Sequence, residues 1–266
     1  MTSRRFVFGG IVIVATLLLA PGGAAAQEFS IFSTFDDDTP GSLPATGGSD
    51  QPTGVQNGGV LVQTSANSIA TQPLVVTDDS CSASSWYFGG VYYDLPTPVT
   101  GGVLRIEATV AANQLTSGIF FEAAVSYFNI SVVRLRFRED GTIADQFDVV
   151  LSSYAANTPV RFRADIVMDT KTWACTIDVE LNGFSDDQVV PGLAFVNNSA
   201  SITQVGTVSL WLFGSFNVSA CTLPRVVAYD DLLIVTPTPL FVDGFESGDL
   251  SAWSDATRAR VPRITL

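Results

Sequence analysis

From Phe29 to Val235 apolar residues recur at every second position, and no long stretch carries helical spacing. Such a chain can bury only one face of each extended segment, so it must stack sheets to hide them. Candidate strands fall at about 30–35, 59–64, 73–77, 86–95, 102–110, 118–128, 131–138, 142–150, 159–168, 172–181, 204–213 and 226–235. Clusters of Gly, Pro, Asn, Asp and Ser separate them. A dozen short strands in this span predict an all-β, two-sheet antiparallel sandwich over residues 27–236.

Two hairpins specify a register. Joining 159–168 to 172–181 through Asp169-Thr170-Lys171-Thr172 sets Met168 against Trp173, Ile166 against Cys175, Ala164 against Ile177, Phe162 against Val179 and Val160 against Leu181. The other face then pairs Arg163 with Asp178 and Arg161 with Glu180. In the preceding hairpin a Glu139-Asp140-Gly141 loop sets Phe137 against Ile143 and Val133 against Phe147, with Arg134, Arg136 and Arg138 on the opposite face. That register also puts Asp145 beside Leu135 on the apolar side, which implies either a bulge or a polar site, with the bulge favoured.

Charge and composition narrow the function classes. The chain holds 26 acidic and 13 basic residues, a formal net charge of −13, and no histidine. Absent histidine removes Ser-His-Asp and Cys-His nucleophilic catalysis and every histidine-containing metal site. The acidic balance argues against nucleic acid and anionic membrane surfaces as partners. At the N-terminus, Arg4-Arg5, the apolar run 6–20 and Ala24-Ala25-Ala26 form a signal-peptide pattern over residues 1–26. The run is shorter than the roughly 20 residues a bilayer crossing needs. The expectation is a secreted, periplasmic or cell-surface protein with no membrane insertion after signal removal, in a compartment where disulfides form. Of Cys81, Cys175 and Cys221, the first and last lie in Ser-rich segments, so a Cys81–Cys221 bridge with Cys175 as a buried free thiol is expected, against no bridge at all. Beyond a stiff Thr236-Pro237-Thr238-Pro239 linker, residues 237–266 form a tail too short for a second core.

Two segments carry a resemblance. Phe35-Asp36-Asp37-Asp38-Thr39-Pro40-Gly41-Ser42-Leu43-Pro44 and Val227-Ala228-Tyr229-Asp230-Asp231-Leu232-Leu233-Ile234-Val235 resemble the opening and closing strands of concanavalin A-like lectin/glucanase jelly rolls in exported bacterial proteins. The tail segment Asp243-Gly244-Phe245-Glu246-Ser247-Gly248-Asp249-Leu250 resembles a C-terminal element of other exported bacterial proteins. The resemblance implies two curved sheets, a concave face that often holds sugar, and frequently a structural calcium ion. The glucanases' Glu-x-Asp-x-x-Glu strand motif is missing, so hydrolysis does not come with the fold.

Three readings follow. The first is a non-catalytic module that binds an extracellular polysaccharide or glycan, through aromatic rings in or near 86–94: Trp86, Tyr92 and Tyr93, with Tyr127, and more weakly Tyr154 and Trp211. Rings filling a core are the bland alternative. Calcium would be held by Asp36, Asp38 and Asp231, since the first and last strands of a jelly roll commonly lie side by side; acidic loops that merely aid solubility are the alternative. The second reading is a structural or surface-associated protein with a sorting or attachment tail. The third is a polysaccharide-active enzyme, a glycosidase with two carboxyls or a lyase using tyrosine and arginine, and no spacing points to either.

Overall fold

The computed structural model describes residues 29–56, 59–79, 87–127, 129–196, 201–214 and 224–236. The leader, the tail, Trp86, Cys81 and Cys221 lie outside them. Among the described residues fifteen strands form two antiparallel sheets. One sheet contains β1 (Ser30–Ser33), β3 (Val60–Val62), β4 (Leu74–Asp78), β6 (Val103–Ala112), β11 (Val160–Val167), β12 (Thr172–Asp178), β13 (Val189–Ala194) and β15 (Arg225–Val235). Its order is β13-β12-β11-β6-β15-β4-β3. The first strand pairs with the last, Ser30 opposite Val235 and Ser33 opposite Leu232, taking over the edge of β15 where β4 ends. The second sheet contains β2 (Gly54–Gln56), β5 (Tyr87–Val99), β7 (Gly118–Ala124), β8 (Ser131–Phe137), β9 (Thr142–Asp145), β10 (Val150–Ser153) and β14 (Val205–Gly214), in the order β10-β9-β8-β7-β14-β5-β2. Among the described residues no helix is long and apolar enough to cross a membrane.

The core follows from the alternation. On β6, Leu104, Ile106, Ala108 and Val110 face inward, and on β14, Val208, Leu210 and Leu212 do. Between the sheets Phe120 stacks on Phe137 at 4.3 Å, and Phe121 meets Phe162 at 4.9 Å. Tyr229 is fully buried, and its hydroxyl lies within hydrogen-bond distance of the Trp211 carbonyl (2.6 Å) and the Phe120 carbonyl (3.1 Å). Cys175 is buried and unbridged in this core, where the alternation puts it; burial pushes its thiol well above the usual range.

The β11–β12 register differs from expectation by two residues. Ala164 faces Cys175, Ile166 faces Trp173 and Arg161 faces Asp178. Both inward faces survive, because a two-residue slip preserves them. The difference is made at the turn, where Val167 pairs with Thr172 and Lys171 takes a φ of 58°. At the far end, the Asp178 carboxylate accepts amides from Glu180 (3.1 Å), Asn182 (3.3 Å) and Gly183 (2.8 Å). It ends the strand, leaving Val179 and Leu181 exposed rather than opposite Phe162 and Val160. Nor do Arg161 and Arg163 meet the acids of their own hairpin. Both reach Glu107 on β6, at 2.9 and 2.7 Å.

Similar chemistry ends β9. Phe137 pairs with Ile143 and Leu135 with Asp145, as expected, but the ladder stops there and Phe147 is exposed instead of facing Val133. The β8–β9 ladder carries no bulge at Asp145. That side chain is buried and accepts the amides of Phe147 (2.8 Å) and Val149 (2.9 Å). The expected strand 142–150 is thereby split into β9 and β10.

Candidate functional site

The outer face of the β2-containing sheet is built from one cross-strand row. Gly54 on β2 pairs with Tyr92 on β5, Tyr92 with Ser209 on β14, Ser209 with Glu122 on β7, and Glu122 with Arg134 on β8. Their neighbours Val91, Tyr93, Leu210, Ala123 and Leu135 all belong to the core, so the row points away from it. Ser209 and Glu122 are buried and form a floor, while Tyr92 and Arg134 are partly exposed.

Tyr127, on the loop after β7, lies over this row. Its ring stacks on Tyr92 with centroids 3.8 Å apart and planes 23° apart, and its centroid lies 6.3 Å from that of Trp211. Its hydroxyl donates to the Gln56 side chain at 2.7 Å. Burial first, and the Tyr92 phenol second, push the Tyr127 hydroxyl up to about 12, so it keeps its proton at neutral pH.

Two glycines make room for these rings. A Cβ on Gly54 would lie 2.6 Å from the Tyr92 hydroxyl, so the ring rests directly over β2. A Cβ on Gly90 would lie 2.2 Å from the Leu210 carbonyl and 2.5 Å from the Trp211 Cβ, so Trp211 crosses β5 at that point. Beyond the rings, Glu122 accepts the Ser131 hydroxyl and the Arg134 Nε at 2.8 Å. Arg136 pairs with Asp148, and Arg138 reaches Asp140 at 3.3 Å and Asp148 at 3.7 Å.

The structure thus gathers Tyr92 and Tyr127, with Trp211 beneath them, into one aromatic platform. Tyr93 is turned the other way: at 1% exposure it is a core residue, because its strand alternates, and it cannot meet a ligand. Tyr154 is buried as well, its hydroxyl accepting the Thr116 amide at 2.8 Å.

The expected calcium ligands line two cavities. Asp36 and Asp38 sit in the turn after β1, where they line a cavity of about 280 Å³ with Asp37 and Asp50. Asp38 accepts the Ala45 amide at 2.8 Å, and the Gln72 amide nitrogen holds the carbonyls of Phe35, Asp36 and Asp38 at 2.7, 3.2 and 2.6 Å. An amide donor therefore stands where those oxygens meet. Asp231, in a left-handed conformation (φ 52°) at a bulge of β15, lines a different cavity of about 260 Å³ on the outer face of the first sheet, with Thr71, Thr109, Arg161, Asp178 and Asp230. In that cavity burial raises the Asp230 carboxyl to about 6, against the lowering effect of the Thr71 hydroxyl bonded to it. Among the described residues no three acidic or cysteine side chains gather to hold a metal ion.

Gly54 and the Glu122–Arg134 pair were not recognisable as site residues in the sequence. A glycine inside a short strand is a usable signal for close approach, but its partner is identifiable only once β2 is known to border β5.

Neither a family model nor a curated protein matches the sequence. Solved structures do. The alginate lyase Aly36B superimposes at a TM-score of 0.52 with 11% identity, covering 80% of this chain and 98% of its own. The PL-14 alginate lyase from Aplysia kurodai gives 0.52 with 14% identity, over 79% and 98%. A sialidase matches 61% of this chain over only 15% of its own length, at 0.44. The domain is a concanavalin A-like jelly roll. At these identities the likeness establishes the fold and leaves the function to the residues.

Proposed function

We propose that this protein is an exported, non-catalytic β-sandwich module that binds carbohydrate on the outer face of the β2-containing sheet. The observation that carries the reading is the Tyr92–Tyr127 stack, lying flat over Gly54 beside the Gln56 amide and the Glu122–Arg134 pair. Flat rings offer a surface for the C–H face of a sugar, and adjacent amide, carboxylate and guanidinium groups match its hydroxyls. The carbohydrate-active neighbours of the fold agree with this use.

The residues on this face favour binding over turnover. Elimination or hydrolysis needs a group that exchanges a proton near neutral pH. Tyr127 holds its proton up to about 12, and Glu122 is committed to Arg134 and Ser131. The single lysine, Lys171, lies in the β11–β12 turn and donates to the Ile202 carbonyl at 2.6 Å.

The test is a glycan and polysaccharide binding panel with the products analysed for new reducing ends and unsaturated sugars. Binding that Tyr92→Ala or Tyr127→Ala weakens, with the polymer recovered intact, is the expected result. Depolymerisation would replace this reading with an enzymatic one, and a folded protein that binds nothing would move it to the structural, tail-directed role.

A further inference from the structure

We infer that the glycan accepted by this face is uncharged; the inference rests on the carbohydrate reading above and specifies its ligand. The arginines decide it. Three of them, Arg134, Arg136 and Arg138, alternate along β8 and its end on the same outer face as Tyr92, which at first sight suits a uronate or sulfate polymer. Each is already held by a carboxylate of this chain: Arg134 by Glu122, Arg136 by Asp148, Arg138 by Asp140 and Asp148. These three carboxylates balance the three arginines and leave no surplus positive charge for a ligand anion.

Arg134 is the arginine nearest the platform, and it is the least able to change partner. Glu122 is 6% exposed, and its charge is held by Arg134 Nε at 2.8 Å and by the Ser131 hydroxyl. An anionic sugar that drew Arg134 away would leave a buried carboxylate with a single hydroxyl donor, and one that bound Arg134 with the pair intact would meet a guanidinium whose charge Glu122 already balances. Removing one partner of a buried pair is the unfavourable half of that exchange.

Asp94 adds a second obstacle. It lies two residues from Tyr92 on the same face of β5, exposed, and it accepts the Thr207 hydroxyl at 2.9 Å. The whole chain carries a net charge of −13, so a polyanion approaches against the field as well as against the local contacts.

A neutral sugar meets none of these costs. A hydroxyl group both donates and accepts, so it can accept from the free N–H groups of Arg134 and donate to a carboxylate oxygen with the Arg134–Glu122 bond intact. Its C–H face lies on Tyr127, which Tyr92 supports from behind. Selectivity on this face comes from arginines that are each charge-balanced by a carboxylate of this chain.

The experiment measures binding of the purified protein to a neutral β-glucan, a galactomannan, alginate and polygalacturonate, at low and high salt. Wild type, Tyr92→Ala, Tyr127→Ala and Glu122→Gln are compared. The expected result is a neutral polymer bound with an affinity that salt leaves unchanged and that either tyrosine substitution lowers about tenfold, with no binding of alginate or polygalacturonate. Glu122→Gln, which removes the carboxylate holding Arg134, is expected to bring anionic binding within the measurable range, and that binding should weaken with salt. Tyrosine-dependent, salt-sensitive binding of an anionic polymer by the wild type would overturn the uncharged ligand and leave the carbohydrate reading standing. A folded protein that binds neither class overturns both.

Discussion

Alanine at position 54 would test the platform without touching the ligand. The added methyl would stand 2.6 Å from the Tyr92 hydroxyl and 2.7 Å from two of its ring carbons. Carbon atoms settle at roughly 3.5–4.0 Å, so the ring must tip outward by about 1 Å. It cannot do so and keep the 3.8 Å stack with Tyr127. A ring pair of this kind contributes about 0.5–1.5 kcal/mol beyond its buried area. Restoring the stacked pose on binding would then cost about that much, which corresponds to up to about a tenfold fall in affinity. The fold should barely notice, because Gly54 has no left-handed backbone requirement and the clashing atoms are the far end of a partly exposed side chain. The assay is calorimetric titration with the bound polysaccharide in Gly54→Ala, Tyr92→Ala and the double variant, with melting curves for each. Gly54→Ala should weaken binding in the wild-type background and add nothing once Tyr92 is gone. Equal losses in both backgrounds, or full affinity in Gly54→Ala, would refute the claim that Gly54 acts by seating Tyr92.

Three other outcomes are expected. Gly90→Ala should cost several kcal/mol, on the scale of a severe core substitution, and lower Tm sharply, since its Cβ would meet the Leu210 carbonyl of the paired strand at 2.2 Å. Asp230→Asn should raise Tm at pH 7 and leave it unchanged near pH 4. The Asp230 carboxyl sits at about 6 in the folded protein, above its unfolded value, so its stabilising effect is complete in acid and is lost as pH rises through 6. Asparagine keeps the Thr71 contact without the charge, worth about 1 kcal/mol at neutral pH. Finally, chelation should not change Tm, because Asp36 and Asp38 lie around one cavity and Asp231 around another; a drop that calcium restores would show a cation site built from other residues.

The strands with strict alternation were legible in the sequence because a single buried face writes itself at period two. β6, β11 and β12 are examples, and Tyr92 and Tyr93 separate onto opposite faces for the same reason. What escaped were strands too short or too irregular to show a period. β2 has three residues, and β13 contains Pro191-Gly192. The ion pairs escaped for a different reason. In a hairpin the sequence displays one neighbour of each strand, whereas Arg161 and Arg163 turn to the other neighbour, β6, which lies more than fifty positions away. The strand ends escaped because Asp145 read as a bulge in the alternation and Asp178 as a partner for Arg163, although each is a buried carboxylate that gathers backbone amides and turns the chain. Asp231 was placed correctly beside the first strand's partner but on a bulge that directs it to another cavity.

The pairing of β1 with β15 has a mechanical consequence. The Phe29 amide donates to the Thr236 hydroxyl at 3.2 Å, and the Thr236 amide donates to the Phe29 carbonyl at 3.3 Å, so the domain's two ends leave from a single corner. A load applied through both ends would pull antiparallel partners apart one rung at a time, from Ser30–Val235 inward to Ser33–Leu232, instead of shearing the whole ladder at once. A load through one end and the Tyr92–Tyr127 face would bypass that seam. The domain would therefore open readily if stretched between Phe29 and Thr236 and resist better when only one of those ends is loaded.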